Sequence, residues 1–266
     1  MIKKRLYTFG YTLFQRGTSI DIERMFQTLN ALGVGYLIDV RSVPYSKQYP
    51  QSNASTLNSM SRQFGVRYVH MPELGAKADP TQDVFSKAED IFFEDIFPIS
   101  KSSRPEKTEL FGHQEIVDFN KFRTSEYFLD GISRIKTAYE KDCTLALMCS
   151  EKHPINCHRY FLVSTAVERK LGDMIEVHHF VANQNGDIVT LSNYELNNQL
   201  RQLVFEKKEI KRLDVLSSSF EQPEPLIEKY FGNTQEEQIM DFCDRYWNLI
   251  HGWKKVINDK SDSYND

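Results

Sequence analysis

The chain has 266 residues, enough for one large domain or for a domain with an appendage. Hydrophobic residues make up 40% and charged residues 26%, an ordinary globular composition that supports a sizeable core without metals or disulfides. The formal net charge of -4 argues against a protein that coats nucleic acid through bulk charge, though not against a local basic groove.

No apolar run approaches the roughly 20 residues needed to span a bilayer, so no membrane partner is expected. The basic start, Met1 to Arg5, is followed by Tyr7, Thr8 and Gly10 rather than by an apolar stretch, which argues against a secretory signal. Cysteines at 143, 149, 157 and 243 have no compact framework spacing. Reduced thiols and a cytoplasmic location are the expectation.

In chain order, residues 6–9 read as a first strand ending at Gly10. A helix follows with Ser19 as N-cap and Asp21 and Glu23 in its first turn. Its apolar residues Ile22, Met25, Phe26, Leu29 and Leu32 recur at helical spacing, and Gly33 ends it. Residues 36–40 form a short apolar run, as expected of a buried strand. Pro44 and Pro50 make residues 42–52 a loop. Asn53 then caps a helix to Phe64, and residues 66–70 make a third strand. The stretch 76–123 carries little pattern beyond Ile91, Phe92, Phe93, Ile96 and Phe97, read as a short buried helix. Residues 125–140 are helical, with Phe128, Leu129, Ile132 and Ile135 on one face. Residues 144–148 are the strongest strand, 157–171 a helix begun by Asn156, and 175–180 a further strand. The Asn185-Gly186 turn pairs residues 188–191 back as a hairpin.

Strands alternating with helices predict an α/β fold over residues 1–192, a mainly parallel sheet with helices on both faces. Residues 193–258 read as a C-terminal helical appendage. It includes Pro223, Pro225 and the amphipathic set Ile239, Phe242, Tyr246, Trp247 and Ile250. The appendage is expected to be separable from the core, and residues 259–266 to be a frayed tail.

Open α/β sheets bind ligands at the carboxyl ends of their strands. Four predicted strand ends carry unusual residues: Gly10-Tyr11-Thr12, Asp39-Val40-Arg41-Ser42, His70 through Gly75, and Cys149-Ser150-Glu151. The last leads into Asn156-Cys157-His158-Arg159 at a helix start, where free amides and the dipole favour an anion and a thiolate.

These segments resemble the domain-of-unknown-function family DUF488. The resemblance rests on the glycine turn Gly10-Tyr11-Thr12, on Asp39-Val40-Arg41, on Tyr68 through Gly75, and on Cys149-x-Glu151 with Cys157-His158-Arg159. Where that family often has His after the first glycine, this chain has Tyr11. The Asp-Val-Arg segment also occurs in rhodaneses, but Cys149 opens a longer loop than sulfur transfer of that kind uses.

The sequence thus points to an enzyme of hydrolase or glycosyl/nucleotidyl-transferase type, acting on a phosphate-bearing nucleotide or nucleic-acid component. Glu151 is the candidate acid, base or nucleophile, with Asp39, His70, Cys157 and His158 as further catalytic candidates. Arg41 and Arg159 are read as the anion site, with Glu73, Tyr11 and Tyr45 lining the substrate side and Tyr49 able to stack on a base. No dinucleotide fingerprint is present and no cofactor is expected. Cys149, Cys157, His158 and His70 supply ligand types that zinc prefers. Because the Cys-x7-Cys-His spacing matches no standard pattern, stoichiometric zinc is not expected. Two rivals stand beside this reading. One is a thiol enzyme using Cys157 or Cys149 for sulfur or acyl transfer. The other is a nucleic-acid-binding module using Tyr45, Lys47, Tyr49 and the basic stretch Lys207, Lys208, Lys211 and Arg212. Cys143, Cys243, His178 and His179 are read as structural, and His153 and His113 as exposed loop residues.

Overall fold

Six strands form one sheet: β1 (Lys4–Gly10), β2 (Tyr36–Asp39), β3 (Arg67–His70), β4 (Leu145–Cys149), β5 (Ile175–Ala182) and β6 (Ile188–Ser192). In a computed structural model, which describes residues 3–91, 114–205 and 234–255, their order is β6-β5-β1-β4-β2-β3. All neighbours are parallel except the β5–β6 hairpin, which Gly186 turns at φ +83°. The expectations for residues 92–97, His113, the basic stretch 207–212, the prolines at 223 and 225 and the tail 259–266 lie outside the described residues. So do the side chains of Ile239, Phe242, Tyr246 and Ile250.

Successive strand side chains point to opposite faces, and β4 divides accordingly. Ala146 and Met148 join Tyr7, Phe9 and Leu37 under α1 (Ile22–Ala31) and α2 (Ala54–Gln63), which contribute Met25, Phe26, Leu29 and Leu57. Leu145 and Leu147 join Leu6, Ile38 and Val177 under α3 (Glu126–Glu140) and α4 (Thr165–Leu171), which contribute Phe128, Ile132, Ile135 and Val167. A strand covered on both faces has no reason to alternate with polar residues, hence the continuous apolar run 145–148.

The chain leaves β2 through α2 for β3 on one side, and leaves β4 through α4 for β5 on the other. The adjacent strands β4 and β2 therefore send their helices to opposite faces and in opposite directions. Such a switch point opens a crevice at the carboxyl edge.

Several local details differ from expectation. Asp21, not Ser19, caps α1, its carboxylate accepting the Arg24 N–H at 3.0 Å. Ser19 instead pairs in a short ladder between Gln15–Arg16 and Ser19–Ile20. Asn53 precedes α2, but its Oδ1 accepts the Ser46 N–H at 2.6 Å, so it holds the loop rather than the helix. The helix expected to begin at Cys157 starts later. Cys157 is extended (φ -141°, ψ 141°), and residues Arg159–Ser164 form a wide π-helical turn before α4. Ser164 Oγ donates to the Arg159 carbonyl and Thr165 Oγ1 to that of Tyr160, side-chain links that span five residues, the spacing of that wider turn. Phe85–Lys87 and Glu115–Val117 form an antiparallel ribbon within the stretch that showed little pattern.

Beyond the sheet run α5 (Asn193–Phe205) and α6 (Gln235–His251). Trp247 of α6 packs on Phe119 and Phe161, with ring centroids 5.7 and 5.3 Å away. Among the described residues, no helix is long and apolar enough to cross a membrane.

His178 and His179 are buried, as expected. His179 Nε2–H donates to Asn193 Oδ1 and Nδ1 lies against Thr8 Oγ1, both at 2.7 Å; with the ring neutral, the Thr8 hydroxyl is the donor to Nδ1. Burial holds this histidine down at about 3. The unfolded chain, with an ordinary histidine near 6.5, takes up the proton first as pH falls. Its contribution is therefore complete above the unfolded value and is lost between there and about 3, at up to about 1.4 kcal/mol per pH unit. Urea unfolding of His179→Gln should show a flatter acid limb than wild type; identical limbs would reject this.

Candidate functional site

The site grows from the register at the carboxyl edge. Gly10 lies opposite Cys149, Asp39 opposite Met148 and also opposite His70, so the ends of β1, β4, β2 and β3 lie side by side. Two groups of side chains form on this edge.

The first is centred on Asp39, which is fully buried. Arg41 Nε donates to Asp39 Oδ1 at 2.8 Å, and Arg41 Nη2 donates to Asp39 Oδ2 at 2.6 Å and to the Ser52 carbonyl at 2.7 Å. Tyr68, which sequence reasoning missed, donates its hydroxyl to Asp39 Oδ2 at 2.7 Å. Its signal was position, two residues before His70 and so on the same strand face. His70 Nε2–H donates to the Arg41 carbonyl at 2.8 Å. Tyr11 is buried under the guanidinium, 5.2 Å from ring centre to Cζ, with Tyr49 edge-on to it at 6.0 Å. Arg41 Nη1 is buried and has no hydrogen-bond partner among the described residues. Burial works against the Arg41 charge, but Asp39 outweighs it and raises the guanidinium further. Burial beside the Asp39 carboxylate likewise raises the Tyr68 phenol. Tyr45, in the same loop, is exposed.

The second group is centred on sulfur. Cys149, Cys157 and His158 are buried, and their two Sγ atoms and a ring nitrogen lie within 4.8 Å of one another. His158 Nε2–H donates to the Val40 carbonyl at 3.1 Å. That bond makes Nε2 the donor to the carbonyl and turns Nδ1 toward Cys149 Sγ at 3.7 Å and Cys157 Sγ at 3.9 Å. Cys149 Sγ–H donates to Glu151 Oε2 at 3.1 Å. Glu151 as a residue is exposed, but this carboxylate oxygen turns inward. Burial holds the Cys149 thiol well above the ordinary range. Burial also pushes Cys157 upward, but the Cys149 thiol and the charges of Arg159 and His158 outweigh it and bring Cys157 well down. His158 is raised because the Cys157 thiolate outweighs its burial. Desolvation, helped by the Cys157 charge, raises the Glu151 carboxyl.

Arg159 is fully buried and holds the loop between these residues, Nη1 donating to the Glu151 carbonyl at 2.7 Å and Nη2 to that of Lys152 at 3.3 Å. Glu73 is ion-paired with Arg134 of α3 and faces away toward that helix. The edge thus brings together Asp39, Arg41, His70 and Tyr11 in one group, and Glu151, Cys149, Cys157, His158 and Arg159 in the other. The Val40 carbonyl joins the two. His153 is exposed and Cys243 buried, as expected.

The fold and this edge define a doubly wound α/β protein with a polar, thiol-containing site at its switch point. Residues 21–97 match the model of the family described as Domain of unknown function DUF488, a span that runs from α1 past β3 and carries Asp39, Arg41, His70 and Glu73. The sulfur group lies outside the matched span. No curated protein and no solved structure matches the chain.

Proposed function

We propose that the chain is an enzyme of hydrolase or group-transfer type in which Glu151 performs the acid/base step, on a phosphate-bearing nucleotide or nucleic-acid component. The observation that carries this reading is the position of Glu151. It is exposed at the β4/β2 switch point beside the buried Asp39, Arg41, Cys149, Cys157, His158 and Arg159, and its Oε2 accepts from the Cys149 thiol. A thiol nucleophile has to reach its substrate, and Cys149 and Cys157 are only 2% and 1% exposed, which favours the carboxylate. The phosphate-bearing class is supported by Arg41 Nη1, a buried cationic donor with no partner among the described residues, beside the Tyr11 ring. Arg159 already spends two donors on backbone carbonyls, so its part is to position the Glu151 loop.

The test is turnover of a panel of nucleosides, nucleotides and short single-stranded DNA and RNA, followed by mass spectrometry. Wild type should convert at least one member, and Glu151→Gln should lower that rate by about 10²–10⁴, the range of a general acid or base. Salt-dependent binding without turnover would favour a binding module. Turnover that survives Glu151→Gln but not thiol alkylation would favour a cysteine enzyme.

A further inference from the structure

The sulfur group has the donors, spacing and support of a metal site. We infer that Cys149, Cys157 and His158 bind a divalent cation of the zinc class, with the remaining coordination position on the side of Glu151. Two thiolates and an imidazole are the donors such an ion selects. A tetrahedral ion with bonds of about 2.3 Å to sulfur and about 2.0 Å to nitrogen sets its S–N edges at about 3.5 Å. The two S–N distances here are 3.7 and 3.9 Å, within a few tenths of that figure.

The support is the more specific observation. Ligating histidines donate their other N–H to a carbonyl or carboxylate, which fixes ring and tautomer. His158 does this through Nε2 to Val40, a residue of the neighbouring strand end, so Nδ1 is held between the sulfurs from across the crevice. Burial of all three ligands keeps competing water out. The linear spacing that argued against zinc describes only the chain path. A tight turn at Pro154–Asn156 and the extended Cys157 fold that path back, so residues eight apart reach one point.

Binding requires both sulfurs as thiolates and Nδ1 of His158 unprotonated, so the Cys149 proton and the Nδ1 proton of a charged His158 must leave; Glu151 Oε2, 3.1 Å from Cys149 Sγ, is the acceptor in place for the first, and the second is released to solvent. The inference about binding stands without the enzyme reading. Its catalytic consequence, a metal-bound water facing Glu151, rests on that reading.

The experiment is elemental analysis of the full chain purified without added metal, together with cobalt(II) titration of the metal-stripped protein. Expected are about one zinc per chain and a cobalt–thiolate charge-transfer band that added zinc removes. Cys157→Ser and His158→Gln should lose the stoichiometric zinc, while Cys143→Ser, outside the group, should keep it. If those variants fail to fold, the wild-type cobalt spectrum decides, because thiolate charge transfer needs the sulfurs. A wild-type titration without that band, or zinc retained by folded Cys157→Ser and His158→Gln together, would overturn the site. Stoichiometric zinc without turnover on the nucleotide panel would uphold the site and remove the proposed function; turnover by protein that takes up neither zinc nor cobalt would do the reverse.

Discussion

Gly10→Ala should destabilise the protein by about 3 kcal/mol, the upper end for overpacking, and lower its melting temperature on the order of 10 °C. The backbone at Gly10 is ordinary (φ -101°, ψ 135°), so freedom of φ is not what it supplies. The constraint is space. A Cβ there would stand 1.8 Å from the Glu151 carbonyl oxygen and 2.4 Å from its carbon, and both are backbone atoms that no rotamer change can clear. The loop is also pinned, since Thr12 Oγ1 donates to the Ser150 carbonyl at 2.6 Å and Arg159 to that of Glu151 at 2.7 Å. Relief must therefore move the segment that carries Glu151, and the substitution should disturb the site as well as the fold. Gly35→Ala is the control, because its Cβ would meet nothing nearer than the Thr144 oxygen at 3.9 Å. Thermal unfolding followed by circular dichroism compares the two, and equal melting temperatures would refute the close-approach argument.

The strand ends were legible in the sequence because burial on both faces leaves a plain mark, a short apolar run stopped by charged residues. Asp39, Arg41, His70, Cys149 and Glu151 follow such runs, and the parallel register brings them to one edge. The sequence did not reveal how their hydrogen bonds are spent. Two arginines at one edge suggest an anion between them. Yet Asp39 and Ser52 already take Nε and Nη2 of Arg41, leaving Nη1, and two carbonyls take Nη1 and Nη2 of Arg159, partners that depend on tertiary placement. The Cys149–Cys157–His158 group was hidden for the same reason: a turn, an extended residue and a carbonyl on another strand create it. Glu73 reads as a site residue because it follows a strand, but its partner Arg134 lies 61 positions on.

The C-terminal helix supplies the other large expected effect. Its polar surroundings suggest an appendage, but three features join α6 to the core. Trp247 packs on Phe119 and Phe161, and Asn248 accepts from the Phe119 N–H at 2.8 Å and donates to the Val117 carbonyl at 2.7 Å. The third is a buried ion pair in which Arg123 Nη2 donates to Asp244 Oδ2, with both side chains 5% exposed. Arg123 also donates to the Phe161 carbonyl at 2.6 Å and to Asn120 Oδ1 at 3.0 Å, bonds that hold the guanidinium in place if its counter-charge is removed. Asp244→Ala then leaves a buried cation without its counter-ion and should cost about 3–5 kcal/mol. Replacing both partners with apolar residues removes the uncompensated charge. The double variant Arg123→Met/Asp244→Leu should therefore recover most of that loss, although each single change is damaging. Urea unfolding of wild type, the two single variants and the double variant measures this directly. A single-variant loss under about 1 kcal/mol would show that the pair is solvated and weak. Cutting the chain after residue 192 removes Asp244, Trp247 and Asn248 together, leaving Arg123, the Phe119 N–H and the Val117 carbonyl without them. That fragment should fail to unfold cooperatively; a sharp two-state transition would show that residues 1–192 form a core complete without α5 and α6.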